Sequence, residues 1–322
     1  MIVRLLVVLS LAFQLLSCSR EPPKPQAPAT QQHRIIPQSI PVFDGRRAFD
    51  YLVAQTKFGH RNPGSEGHRK CLNYLHQELL QYADAVNLQP FTHQGYDKEV
   101  LHLTNIIASF NLNATTRILL VAHWDTRPRA DEDPDSTKHN QPIIGANDGA
   151  SGVAVLLEIA RHLKTTPPSV GIDILLTDGE DYGNEGDNGN YLLGARYFAK
   201  NLPSGFQPVF GILLDMVGDK QLELLKESNS IKFAPDVVEL IWSTARELGV
   251  HQFTDAVQQE VLDDHIPLSQ AGIRTVDLID FDYPDSSNRY WHTTEDTPDK
   301  CSPESLEAVG KVIMHIIYTQ PS

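Results

Sequence analysis

Hydrophobic positions change their spacing several times along the chain, and each change marks an element. Behind Arg4, an apolar run from Leu5 to Leu16 is too short to span a bilayer and has the length of a secretory signal core. From Glu21 to about Pro41 the sequence is rich in Pro, Gln and Ala without apolar periodicity, the pattern of a tether. Phe49, Leu52 and Val53 follow Asp44 at helical spacing, predicting a capped helix that ends near Gly59. After a turn at Asn62-Pro63-Gly64, Ser65 opens a second helix with Cys71, Leu72, Leu75, Leu79 and Leu80 on one side. Residues 86–92 and 103–110 predict a strand pair at a sheet edge.

Beyond these, short apolar runs alternate with amphipathic stretches. Strands are expected at Arg117–Ala122, Ile172–Thr177, Phe210–Leu214 and Thr275–Ile279, and helices at Gly149–Leu163, Leu192–Asn201, Pro235–Leu248 and Pro303–Tyr318. Buried strands separated by helices predict α/β architecture: a single three-layer α/β/α domain on a mixed, centrally parallel twisted sheet. The organisation is then a signal peptide at 1–17, a tether at 18–41 and one domain at 42–322, without repeats.

Composition changes this picture only at the edges. Apolar residues at 41% and charged residues at 21% are ordinary for a globular protein, enough for a sizeable core. A formal charge of −14 argues against a nucleic-acid partner, because phosphate binding needs clustered Lys and Arg. Leu15-Leu16-Ser17-Cys18 resembles the bacterial lipobox, where cleavage leaves a diacylated N-terminal cysteine. The expectation is an exported lipoprotein, periplasmic-facing or at the cell surface, touching the membrane only through its lipid. Of the three cysteines this leaves Cys71 and Cys301, which either pair or stay as buried thiols.

The chemistry gathers where strands end. The four central strands lead into His123-Trp124-Asp125, Asp178-Gly179-Glu180-Asp181, Asp215 and, through a loop, His292. Asp148 opens a helix in Gly145-Ala146-Asn147-Asp148-Gly149-Ala150-Ser151-Gly152. In open α/β sheets ligands gather at the carboxyl ends of strands, so these segments are expected to meet in one crevice. Imidazole and carboxylate without thiolate is the donor set of catalytic zinc, and a metal offsets the crowding of negative charge.

This series, His123-x-Asp125, Asp148 in its Gly- and Ala-rich run, Glu180-Asp181, Asp215, Asp264-His265 and His292-Thr293-Thr294, resembles the clan uniting co-catalytic zinc aminopeptidases with zinc-dependent glutaminyl cyclases. The likeness runs from about residue 45 to 318. It implies a zinc-exopeptidase, phosphorylase/hydrolase-like fold in which Asp148, Asp181 and His292 hold the shared zinc. His123 and Asp215 match a second zinc site in the aminopeptidases, so one ion is expected and two are possible. It further implies that Asp125 orients a ligand from behind and that Glu180 is the general base and acid.

Asp263-Asp264-His265-Ile266-Pro267 resembles the cyclase segment whose first Asp is a catalytic carboxylate, and Trp291 before His292 also follows the cyclases. The expected reaction is conversion of glutaminyl N-termini of peptides or proteins to pyroglutamyl, with Glu180, Asp215 and Asp263 catalytic and Trp291 and Tyr283 at the substrate. A zinc aminopeptidase is the alternative, and an inactive peptide-binding lipoprotein the lesser one. Departures from the resemblance are Asp181 where Glu is usual, Asp277 where animal cyclases carry His, Leu262 for a polar residue, and Tyr283 for Phe. The acidic run Asp131–Asp135 lacks calcium-loop spacing and is expected at the rim of the site, and residues 184–190 at its entrance.

Overall fold

The computed structural model describes residues 39–184 and 186–321. The expected signal peptide, Cys18 and all but the end of the expected tether lie outside the described residues.

Among the described residues eight strands follow in chain order: β1 (Ala85–Gln94), β2 (Val100–Phe110), β3 (Arg117–His123), β4 (Gly171–Thr177), β5 (Phe210–Asp215), β6 (Leu224–Glu227), β7 (Phe253–Gln258) and β8 (Thr275–Ile279). Six make the central sheet, in the order β1-β2-β4-β3-β5-β8. β4, β3, β5 and β8 run parallel, while β1 and β2 add an antiparallel edge, so the sheet is mixed and parallel at its centre. The α-helices among the described residues are α1 (Gly45–Thr56), α2 (Glu66–Tyr82), α3 (Ala150–Thr165), α4 (Leu193–Lys200), α5 (Ser228–Phe233), α6 (Pro235–Leu248), α7 (His265–Gln270) and α8 (Pro303–Thr319).

Side chains along β3 point alternately to opposite faces, as the pleat dictates. Ile118, Leu120 and Ala122 enter a large core with α1, α2, α3, α6 and α8, whereas Leu119 and Val121 join Ala195 and Phe198 of α4 and Leu268 of α7 on the other face. Both faces are thus covered, which is why β3, β4 and β5 are mainly apolar, with Asp173 of β4 the charged interruption, paired with Arg117. Caps expected from sequence are present: Asp44 accepts the Arg47 N–H and Ser65 the His68 N–H. Cys71 and Cys301 are both buried and free, which decides the open question of their pairing.

The pattern did not expose four elements. β6 and β7 form a separate two-stranded parallel sheet, and α5 and α7 are single six-residue helices. Strands this short, with β7 mostly exposed or half-buried, carry too few apolar repeats to announce themselves. They matter, because α7 and the loop before it bring Asp263 to the cleft.

Candidate active site

The carboxyl ends of β3, β4 and β5 open onto a cleft of about 310 Å³, lined among others by Asp148, Glu180, Asp181, Asp215, Asp263 and His292. Five loops contribute, and buried polar groups hold each in place. Asp125, fully buried after β3, accepts the N–H groups of Glu180 (3.0 Å) and Asp181 (3.4 Å), and so aims the loop after β4 into the cleft. Asp148 precedes Gly149, whose φ is 100° and whose missing side chain leaves room for the Asp125 carbonyl; only glycine fits there without strain.

Asp296 holds the same loop from behind, accepting the N–H groups of Asn147 (2.8 Å) and Asp148 (3.1 Å). Buried Arg61 ties it to β3's end by donating to the carbonyls of Ile144, Gly145 and Trp124. His292 is held at φ 53°, a left-handed conformation unusual for a side-chain-bearing residue, with the Trp291 ring stacked 3.7 Å from its own.

Asp148, Asp181 and His292 offer ligand atoms within 4.8 Å of one another. His292 Nε2 lies 3.3 Å from Asp181 Oδ2 and 3.6 Å from Asp148 Oδ2. Zinc bonds of about 2.0–2.1 Å in a tetrahedron separate ligand atoms by about 3.3–3.5 Å, so the donor set and its spacing fit zinc. The most telling atom is Asp181 Oδ2, which is buried and accepts no hydrogen bond from any described group. Its sister Oδ1 is taken by Arg127 at 2.6 Å, and the same guanidinium grips Asp131 through two further bonds of 2.6 Å. Arg127 therefore leaves Asp181 one free oxygen, which limits it to one bond to a metal. Against the effect of burial, His292 and Arg127 hold the Asp181 carboxyl well below the usual range.

His123, Asp148 and Asp215 make a second buried group of donors. Here His123 Nε2 already meets Asp215 Oδ1 at 3.1 Å and Asp148 Oδ1 at 3.2 Å, while buried His123 Nδ1, 3.6 Å from Asp125 Oδ1, has no hydrogen-bond partner among the described groups. The unpartnered carboxylate oxygen of Asp181 gives the group of Asp148, Asp181 and His292 the stronger demand for a cation. Burial and the neighbouring Asp181 charge push the Glu180 carboxyl well above its ordinary value.

The cleft has an apolar side of Met216, Val261, Ile279, Phe281 and Trp291. Tyr283 corrects an expectation: it is fully buried, and its hydroxyl donates to Asp296 at 2.9 Å instead of facing substrate. The phenol needs a partner when buried, and Asp296 supplies it; Phe281 packs beside Trp291 and lines the cleft instead. The acidic run divides. Asp131 and Glu132 line the cleft, whereas Asp133 is buried and accepts the Thr294 N–H and hydroxyl, bracing the His292 loop. Gly186, Asn188 and Tyr191 line the other side of the entrance. Arg61, Arg127 and Asp296 escaped the sequence reading, since a lone Arg or Asp outside a motif looks like any surface charge; only Arg127, four residues before Asp131, had a local hint.

Residues 105–317 match the model of peptidase family M28. A glutaminyl cyclase structure from Bacteroides thetaiotaomicron, bound to N-acetylhistamine, superposes with a TM-score of 0.84 at 39% identity, covering 88% of this chain and all of the other. A structure described as a leucine aminopeptidase precursor from the same organism gives 0.83 at 39% identity, over 88% and 99% of the two chains. The mouse glutaminyl-peptide cyclotransferase-like protein is 25% identical over 79% of this chain and 70% of its own length. With the family's fold, its motif order and its donor set all present in one chain, this protein belongs to peptidase family M28.

Proposed function

We propose that this protein is a zinc-dependent glutaminyl-peptide cyclotransferase that converts N-terminal glutaminyl peptides to pyroglutamyl peptides and ammonia. The observation that carries this reading is Asp263, buried in the same cleft as Glu180 and beside an apolar wall formed with Trp291. A second cleft carboxyl supports proton traffic, and the apolar wall suits a substrate whose nucleophile is its own amine.

In this reading Asp148, Asp181 and His292 hold one zinc ion, which when bound supplies Lewis-acid polarisation of the side-chain amide carbonyl. Glu180 takes a proton from the α-amine, and the amine nitrogen forms a bond to the side-chain carbonyl carbon. Glu180 then returns a proton to the amide nitrogen as its bond to that carbon breaks, and ammonia leaves. No water is consumed; orientation of the amine by the cleft replaces activation of an external nucleophile. A raised proton affinity suits Glu180 to taking up and giving back a proton. Asp215 and Asp263 form the supporting acid network, and Trp291 and Phe281 wall the substrate side chain.

The second donor group at His123, Asp148 and Asp215 favours the aminopeptidase as the alternative. Incubating the purified protein with a glutaminyl and a leucyl dipeptide separates the two. Ammonia and pyroglutamate without amino-acid release are expected; leucine release in their place would establish the peptidase.

Cys18 is the lipid attachment site in this proposal, and residues 18–41 tether the domain outside the cytoplasm, on the strength of the lipobox-like sequence. Labelled fatty acid should enter the wild-type protein in cells and not Cys18→Ser. Among the described residues no helix is long and apolar enough to cross a membrane.

A further inference from the structure

Behind Asp263 stands a second buried carboxyl that the reaction above does not use. Asp277 lies in the middle of β8 and is fully buried. Its backbone N–H donates to Ser230 Oγ at 2.9 Å, and that hydroxyl donates to Glu227 at 2.8 Å. His265, at the start of α7, lies between the two acids, with Nε2 3.3 Å from Glu227 Oε2 and Nδ1 3.6 Å from Asp277 Oδ2. Asp263, His265 and Asp277 offer polar atoms within 4.8 Å of one another. Asp263 Oδ1 accepts the Asp264 N–H. Asp263 Oδ2 and both Asp277 oxygens, all buried, accept no hydrogen bond from any described group.

Two neighbouring carboxylates shut away from water do not both stay ionised, because nothing repays the lost hydration and the mutual repulsion. The charged and titratable groups around this pair are Asp215 from β5, Glu180 from the loop after β4, Glu227 from β6, and Asp264 and His265 from the segment of Asp263 itself. All but His265 are acids, so they add repulsion. His265 faces Asp277 from the back, and Asp263 is the member that reaches the cleft.

We propose that Asp277 is a positioning residue that shares one proton with Asp263, taking the pair's negative charge at its own end, beside His265, so that Asp263 meets the cleft in protonated form. Asp263 Oδ2 and one of the two Asp277 oxygens then become the two ends of one carboxyl-to-carboxylate hydrogen bond. Burial and mutual repulsion push both carboxyls well above their ordinary range, in keeping with a retained proton. The consequence for the cleft is that negative charge is kept away from the place where Glu180 works.

The role in turnover rests on the cyclase reading, whereas the shared proton does not, and the two are tested separately. In the zinc-loaded full chain at neutral pH, infrared difference spectra should contain a buried carboxylic-acid band that disappears in both Asp277→Asn and Asp263→Asn. Asp277→Asn puts the charge on Asp263; turnover of a glutaminyl peptide should fall about tenfold or more in kcat with KM within about twofold. Zinc content should stay at the wild-type value, and Asp277→Glu should recover part of the rate. A band that persists in Asp277→Asn, or metal lost with Asp277, would overturn the proposal, the latter by making the cluster a metal site. If wild type releases no ammonia the cyclase reading fails, and the infrared band still decides the proton.

Discussion

Glu180 and Asp181 are neighbours with opposite tasks, and the difference is made by what each touches. Asp181 has Arg127 and His292 against it and stays ionised, ready to hold a cation. Glu180 is buried with only His123 Nδ1, 4.0 Å away, to set against burial and the acids around it, so its proton affinity rises. Environments that push two carboxyls apart in this way separate a ligand from an acid/base group. Glu180→Gln keeps the shape and removes the proton acceptor; turnover should fall at least about a hundredfold while zinc content, read by metal analysis, remains that of the wild type. Equal turnover would remove Glu180 from the reaction.

At the scale of elements, the site depends on how closely α3 lies against β5 and how α5 is anchored. A side chain at Gly152 would run into the Leu214 carbonyl, so α3, which follows directly on the Asp148 loop, needs glycine to reach the sheet. Gly152→Ala should cost about 1–3 kcal/mol in urea unfolding by overpacking, with zinc binding weakened because the helix start is displaced. Glu227 caps α5, accepting the N–H groups of Asn229, Ser230 and Val261. Burial opposes its ionisation, yet His265 and these N–H groups bring its carboxyl down to about 2.

A folded value below the unfolded value of about 4.3 means stability that is complete above that pH and lost as the pH falls toward 2. Chemical unfolding of Glu227→Gln should therefore show a deficit against wild type at pH 7 that shrinks steadily between about pH 4.3 and 2. A deficit independent of pH would mean that Glu227 acts by shape alone. The elements that carry these anchors, β6, α5 and α7, are also those the hydrophobic pattern did not reveal. Each is four to six residues long, so its identity is set by tertiary contacts and not by periodicity.

For the whole molecule, the sheet gathers Asp148, Glu180, Asp181, Asp215 and Asp263 into one water-poor cleft, an arrangement that repels itself until a cation is bound. Folding and metal binding are therefore linked. Removing zinc with a chelator should lower the melting temperature and abolish turnover, and restored zinc should raise stability by about 2.7 kcal/mol at a free concentration a hundredfold above its Kd. A melting temperature indifferent to zinc would separate the cluster from any structural role.

The sequence by itself determined the alternation of apolar strand and helix, the caps at Asp44 and Ser65, and the acids and imidazoles at the strand ends. These are local properties: period, cap chemistry and position relative to an apolar run are written within a dozen residues. The tertiary structure alone decided that Arg127 takes one oxygen of Asp181, that Asp296 and Arg61 brace the Asp148 loop, that Tyr283 turns away from the cleft, and that Asp277 stands behind Asp263. Those pairings join residues from 13 to 148 positions apart, or turn on which way one side chain points. No spacing in a chain encodes either until the sheet has set the distances.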